Sequence, residues 1–275
     1  MWIINTIIGK IFDIIFLPFK NMSPWIGMIV VSLLTGLLML FIYKLTSNQE
    51  GIKKIKNKIK AHLLEIRLFK DSLSVSFRAQ GSILMANFKY IGYALKPLLV
   101  MILPILLILI QLDFRFGYNS LDPEQNTILR VQLGEGVPLM NTQIDIKTGS
   151  GIVLETPPLR IEDSNEINWR IRAEEMGVHE ITITVDGQEY TKSISIGQNK
   201  LNRISPLRTR KNFFREFLNP NESPLPKNSP IKAIEISYPS RKMNLFGWKI
   251  HWLIAYFFLS IIIGFSLKGF FKVEM

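Results

Sequence analysis

Two apolar runs separated by a basic stretch set the frame for this chain. Trp25–Tyr43 carries no charged residue, and neither does Pro97–Leu112. Between them, Lys44–Lys96 holds 11 Lys and Arg against three acids. The first run makes about 28 Å of helix and the second about 24 Å, against a hydrocarbon core about 30 Å thick. The pattern reads as two membrane-spanning helices joined by a basic helical loop. Pro97 suits the first turn of the second span, and Pro104 falls inside it, where it predicts a kink.

The placement of charge gives an orientation. The formal net charge is +11, yet Asp113–Leu245 holds 17 cations and 17 acids. The excess lies mainly in the short loop, as the positive-inside rule requires of a cytoplasmic segment. The N-terminus and the middle of the chain then lie outside. A third apolar run, Gly247–Leu267, returns the C-terminus to the cytoplasm, with Trp248 and Trp252 at its outer end and Lys268 and Lys272 after its inner end. So localised an excess needs no nucleic acid, and no DNA partner is expected. The chain has no cysteine, which excludes disulfides and thiol chemistry.

Before the first span, Ile4, Ile7, Ile8, Ile11, Ile15 and Phe19 recur at helical spacing, with Lys10 and Asp13 on the other side. Residues 1–24 are read as an amphipathic helix lying in the interface and ended by Pro18. Ser23-Pro24 then opens the first span, 25–45. In the loop, 46–96, one apolar stripe runs through Ile52, Ile55, Ile59, Leu63 and Ile66. A second runs through Leu73, Phe77, Leu84, Phe88, Ile91 and Leu95. Asp71-Ser72 breaks the pattern, which predicts a coiled αα-hairpin. Lys53, Lys54, Lys56, Lys58 and Lys60 flank the first stripe. They fit a solvated face, an anionic-lipid contact, or a site for ribosomal RNA or an acidic partner.

After a second span, 97–113, the apolar period changes to two. Thr127–Leu133, Thr142–Lys147, Gly151–Glu155, Glu166–Ala173, His179–Val185 and Glu189–Ile196 alternate or are β-branched, with a hairpin signal at Asp186-Gly187-Gln188. Residues 114–200 are read as an antiparallel sandwich with Trp169 and Ile171 in its core. Its Gly177-Val-His179 stretch resembles the Gly-x-Tyr stretch of immunoglobulin-like domains, with histidine in the tyrosine position. Residues 201–246 read as a linker, Pro-, Asn- and Ser-rich, holding a short helix at Phe213–Leu218 and a last strand at Ile231–Tyr238. The third span, 247–268, and a tail, 269–275, follow.

Little here points to catalysis. His62, His179 and His251 stand on separate segments, without metal-ligand spacing, and no phosphate loop or nucleophile motif is present. No enzyme activity, metal or cofactor is expected. The polar residues of the apolar runs that stand as candidates are Ser32, Thr35, Gln111 and Ser260. A polar residue in a span is a functional candidate, here as the wall of a groove. The alternative is that Ser32 and Thr35 bond back to their own helix or pack against a neighbour.

The order of segments resembles the YidC/Oxa/Alb superfamily of membrane-protein insertases. The residues that carry the resemblance are Leu17-Pro18 to Tyr43, the hairpin Lys53–Phe88 and the exit Tyr90–Leu112, with Pro97-Leu-Leu-Val-Met-Ile-Leu-Pro104 at its centre. Trp25–Tyr43 lacks the basic residue that insertases of this type often carry, and the outer domain is inserted between the second and third spans. The resemblance implies a three-span bundle with a cytoplasmic hairpin in a bacterial inner membrane, assisting hydrophobic client proteins to insert. The second reading is a structural protein whose sandwich binds an envelope partner while the bundle anchors it.

Overall fold

The computed structural model describes residues 2–197, 201–245, 247–271 and 273–274, with only the backbone of residues 2–6. Lys272 and the side chain of Ile4 lie outside the described residues. The chain divides into two compact units, one of Met1–Gly27 with Leu107–Trp252 and one of Met28–Leu106 with Leu253–Met275.

Both units contain helices. They are α1 (Trp2–Phe16), α2 (Pro24–Thr46), α3 (Gln49–Leu68), α4 (Leu73–Leu112), α5 (Phe213–Leu218) and α6 (Trp252–Leu267), of which α3 lies wholly in the second unit and α2, α4 and α6 lie largely in it. Asn48 caps α3 by accepting from the Gly51 amide at 2.9 Å, the role of an N-cap side chain. A four-residue break then leads into α4. The expected boundary at residue 97 is absent: the second arm of the hairpin and the apolar run form one helix of 40 residues, with Pro97 and Pro104 both in its interior. Pro97 removes an interior backbone donor rather than sitting in a first turn.

Among the described residues, two helices are long and apolar enough to cross a membrane: α2, and α4 with the turn that follows it. The third expected span is shorter than its sequence suggests. Trp248–His251 is a β-strand, and α6 has 16 residues, about 24 Å. A tight turn at Gly247, with φ +91°, makes this possible by folding the strand back on Lys242–Leu245. Within the second unit α2 and α6 approach closely at Gly36, where a Cβ would stand 3.2 Å from Ile263 Cγ2 and 3.6 Å from the Ser260 carbonyl oxygen. Small residues at such contacts let helix backbones meet.

In the first unit the period-two alternation becomes two antiparallel sheets. The strands are β1 (Asn126–Leu133), β2 (Ile144–Thr148), β3 (Ile152–Leu154), β4 (Leu159–Ile161), β5 (Glu166–Ala173), β6 (Gly177–Val185), β7 (Gln188–Ile196), β8 (Leu207–Thr209), β9 (Ile231–Ile236), β10 (Lys242–Leu245) and β11 (Trp248–His251). One sheet runs β3-β5-β1-β9-β8, with β4 also on β5; a second runs β2-β6-β7; β10 and β11 form a separate hairpin. Alternate residues of β1, β5, β6 and β9 are buried in one core, with Trp169 and Leu129 paired across β5 and β1. The turn between β6 and β7 has φ +48° at Asp186 and +82° at Gly187, the two positive values that a two-residue hairpin turn of the twist-matched kind needs.

The segment expected as a linker is part of this core. β8 and β9 join the first sheet, and Leu201, Ile204 and Leu225 are buried. Its attachment is polar as well as apolar. Lys192 on β7, fully buried, donates to Glu222 Oε2 at 2.8 Å and to the Ser205 carbonyl at 2.6 Å, while Glu222 also accepts from the Ser193 amide at 3.1 Å. Burial pulls the Lys192 ammonium below its ordinary range, and the Glu222 carboxylate opposes that shift. Tyr238 accepts from the Ser195 amide at 3.0 Å, and burial pushes its phenol upward. His179 hydrogen-bonds back along the chain, its Nε2 meeting the Glu175 carbonyl at 2.8 Å.

Two stability predictions follow from this packing. At Gly151, φ is +138° and a Cβ would fall 2.3 Å from His179 Cε1. Gly151→Ala is therefore expected to cost about 1–3 kcal/mol from backbone strain, read as a lower melting temperature of the full-length protein in detergent. Glu222→Gln strands the Lys192 ammonium in the core and is expected to cost about 3 kcal/mol near neutral pH. Without the carboxylate the folded-state pKa of Lys192 falls further below its unfolded value of about 10.4. The penalty is complete below that folded pKa and shrinks as pH rises through it. A melting deficit that stays constant or grows from pH 7 to pH 10 would contradict this account.

Candidate functional site

The long helix α4 carries the most unusual surface. Leu73, Phe77, Leu84, Phe88, Ile91 and Leu95 recur every three, four or seven residues and therefore share one face. The expected hairpin would bury this stripe, but all six residues are between 50 and 73% exposed. Small residues take the inward positions instead: Ala79 and Ala86 are buried. The same face continues without a break through Leu98, Ile102 and Leu106, each at least 44% exposed. Residues 73 to 106 of one helix thus present an apolar ribbon about 50 Å long.

The stripe of α3 behaves differently. Ile52 is buried, Ile55, Ile59 and Ile66 are half-buried, and Leu63 is exposed. Of the flanking lysines, Lys53, Lys54, Lys58 and Lys60 are exposed. Lys56 is engaged by the C-terminal tail, pairing with Glu274 at 2.9 Å, and the Glu274 amide donates to Gln49 Oε1 at 2.6 Å. Hydrogen bonding and charge attraction from Lys56 hold the Glu274 carboxyl below its ordinary range.

The four polar groove candidates do not come together. Thr35 and Ser260 line a cleft of about 360 Å³ between α2, α4 and α6, with Tyr256 beside both. Its other walls are Gly36, Met39, Leu40, Met101, Ile105 and residues of α6, so the cleft is apolar with a few hydroxyls and no charge. Thr35 Oγ1 donates to the Val31 carbonyl of its own helix at 2.8 Å, the back-bonding alternative. Ser32 is fully buried outside the cleft lining, with no hydrogen-bond partner among the described residues. Gln111 belongs to the other unit.

What the sequence reading missed is Arg115. It lies in a π-helical turn, Asp113–Gly117, that prolongs α4, and its side chain is 1% exposed. It donates to the Gln111 carbonyl at 3.0 Å, approaches the Gly9 carbonyl at 3.5 Å and pairs with Asp13 of α1. The guanidinium also sits over the rings of Phe12 and Phe16, 5.8 and 5.3 Å from their centroids, within cation–π range. Phe16 in turn packs edge-on against Phe116 at 5.7 Å. Asp13, expected on the polar side of an interfacial helix, is the anchor that α1 supplies. The signal available in the sequence was an arginine just beyond an apolar run, which ordinarily snorkels to water.

α1 is apolar on two sides. Phe12 and Phe16 are buried, while Ile7, Ile11, Ile14 and Leu17 stand exposed on the opposite side. Among the described residues, no group of three or more His, Cys, Asp or Glu is placed to hold a metal. Comparison with protein-family models, with curated proteins and with solved structures finds no match for the chain.

Replacing Asp13 by Asn leaves Arg115 buried without its counter-charge. Asp13 is itself 46% exposed, so the cost is set near about 1.4 kcal/mol rather than at the full penalty of a buried pair. Hydrogen exchange of the α1 amides is expected to rise about tenfold in Asp13→Asn and to stay unchanged in Lys10→Ala.

Proposed function

We propose that this is an integral membrane protein, with an insertase- or chaperone-like helical unit of the YidC/Oxa/Alb type and an immunoglobulin-like domain outside the membrane. The orientation drawn from charge applies: the hairpin lies in the cytoplasm of a bacterial cell, the sheets lie outside the inner membrane, and the C-terminal tail, docked on Lys56, is cytoplasmic. The observation that carries the reading is the apolar ribbon of α4. At about 50 Å it exceeds a hydrocarbon core of about 30 Å, so about 20 Å of it extends beyond the lipid. A hydrophobic client leaving water meets this ribbon first and follows the same helix face into the bilayer. No covalent step is involved. The work is to hold apolar segments out of water and to lower the barrier for their polar flanks to cross.

The exposed lysines of α3 suit anionic headgroups, at about 1 kcal/mol each near the surface. They also suit an acidic or ribosomal partner. A second reading follows from the cleft between α2, α4 and α6. It carries no charge among its lining residues, which fits a bundle that only anchors a partner-binding sheet unit.

Photo-crosslinkers at positions 77 and 88 in living cells separate these readings. The insertase reading expects adducts with short-tailed membrane proteins at both positions. Phe77→Glu with Phe88→Glu should abolish capture without unfolding the protein, because both side chains are exposed. Adducts only from crosslinkers on exposed residues of the sheet unit, such as Val178, would establish the anchoring reading instead.

A further inference from the structure

We propose that the cleft beside α1 binds the phosphate of an anionic phospholipid. This rests on the membrane reading above. The cleft, about 240 Å³, is lined by Lys20, Arg115 and Arg203 against the single carboxylate of Asp13. At about 30 Å³ per water it has room for roughly eight water volumes. Asp13 is shared: one oxygen meets Arg115 Nη2 and the other lies 3.5 Å from Arg203 Nη1. Among the described residues, the other hydrogen bonds of the two guanidiniums go to neutral groups, the carbonyls of Gln111 and Gly9 and the side-chain oxygen of Asn221. Among the described residues, Lys20 pairs with no carboxylate. Three cations therefore converge where one anion is present, and two of them are largely withdrawn from water. Burial makes such an excess costly unless a further anion enters. Arginine suits a phosphate in particular, since its planar fork donates in pairs.

The surroundings of the cleft select a lipid over a free anion. On the side of α1 away from its buried Phe12 and Phe16, Ile7, Ile11, Ile14 and Leu17 are exposed. The short helix α5, in contact with α1, adds exposed Phe213 and Phe214. Cations in the cleft, with exposed apolar side chains elsewhere on α1 and on α5, supply both kinds of contact that an anionic amphiphile needs. Nothing in the sequence pattern alone joins these groups, because residues 13, 20, 115 and 203 are brought together only by the fold.

The test uses full-length protein in detergent, titrated with phosphatidylglycerol or phosphatidylcholine and read by native mass spectrometry. Phosphatidylglycerol should be retained and phosphatidylcholine not. Lys20→Glu should weaken that retention about tenfold, the loss of roughly one charge-assisted contact. Arg203→Gln should weaken it as much, and Arg203→Lys should restore part of it. Equal retention of both lipids, or retention unchanged in Lys20→Glu, overturns the proposal. Competition by millimolar inorganic phosphate or glycerol phosphate as effective as by the lipid also overturns it, since the site would then take a free anion. Among the described residues Lys20 makes no ion pair, so Lys20→Glu keeps the test meaningful if the Arg203 variants misfold. Alkaline carbonate extraction of the same membranes separates the two levels of inference. Protein that remains in the pellet without lipid preference overturns the site alone. Protein released to the supernatant overturns the membrane reading beneath it.

Discussion

A charged group buried at the end of a long apolar helix is the constraint around which the first unit is assembled. Arg115 cannot leave water unless other groups satisfy it, and those groups come from distant parts of the chain. α1 supplies Asp13 and a carbonyl, and two aromatic rings close over the guanidinium. The neighbouring backbone is used as well. Phe114 accepts from the Ile204 amide at 2.8 Å, and Gly117 accepts from the Arg241 amide at 2.8 Å. Arg241 reaches back to the Arg115 carbonyl at 2.9 Å and to Asn119 at 2.8 Å, and burial lowers its own pKa to about 10. One turn of helix thereby fixes α1, the segment after β7 and the approach to β10.

The sheets depend on a comparable device. A lysine in the core is held by a glutamate from a segment with almost no regular structure, and that glutamate also satisfies a strand amide and hydroxyl. In both places a charge is buried where the chain is otherwise hard to specify. A polar contact with few acceptable partners defines the position of an irregular segment more sharply than apolar packing does.

Much of this was legible in the residues. The alternation in Glu166–Ala173 and the Asp186-Gly187 signal gave β5 and the β6–β7 hairpin, and Phe213–Leu218 was read as a helix with its observed limits. What escaped reading shares a cause. β8 and β10 are three and four residues long and sit among Pro, Asn and Ser, so their pairing is decided by tertiary contacts that local periodicity does not report. Proline favours a helix start, yet the helix continues through Pro97. The apolar stripe of α4 is legible in the sequence, but its exposure is not. Periodicity shows that residues share a face and is silent on what that face meets. The groove candidates were chosen residue by residue for polarity, and polarity alone does not converge side chains on one place.

The pairing of β9 with β1 has a consequence in time. Arg130 and Glu235, bonded at 3.0 Å across these strands, are 105 residues apart. During synthesis at about 5–20 residues per second, the edge of β1 that faces β9 stays open for roughly 5–20 s after β1 itself has emerged. Over that interval β1 and β5 can pair, but the sheet offers a row of unmet backbone groups to any extended chain nearby. Completion must wait until the residues just before β10 have arrived. The protein is thus vulnerable to wrong pairing through most of the making of its sheet unit, and the strand that ends the danger is among the last to be made.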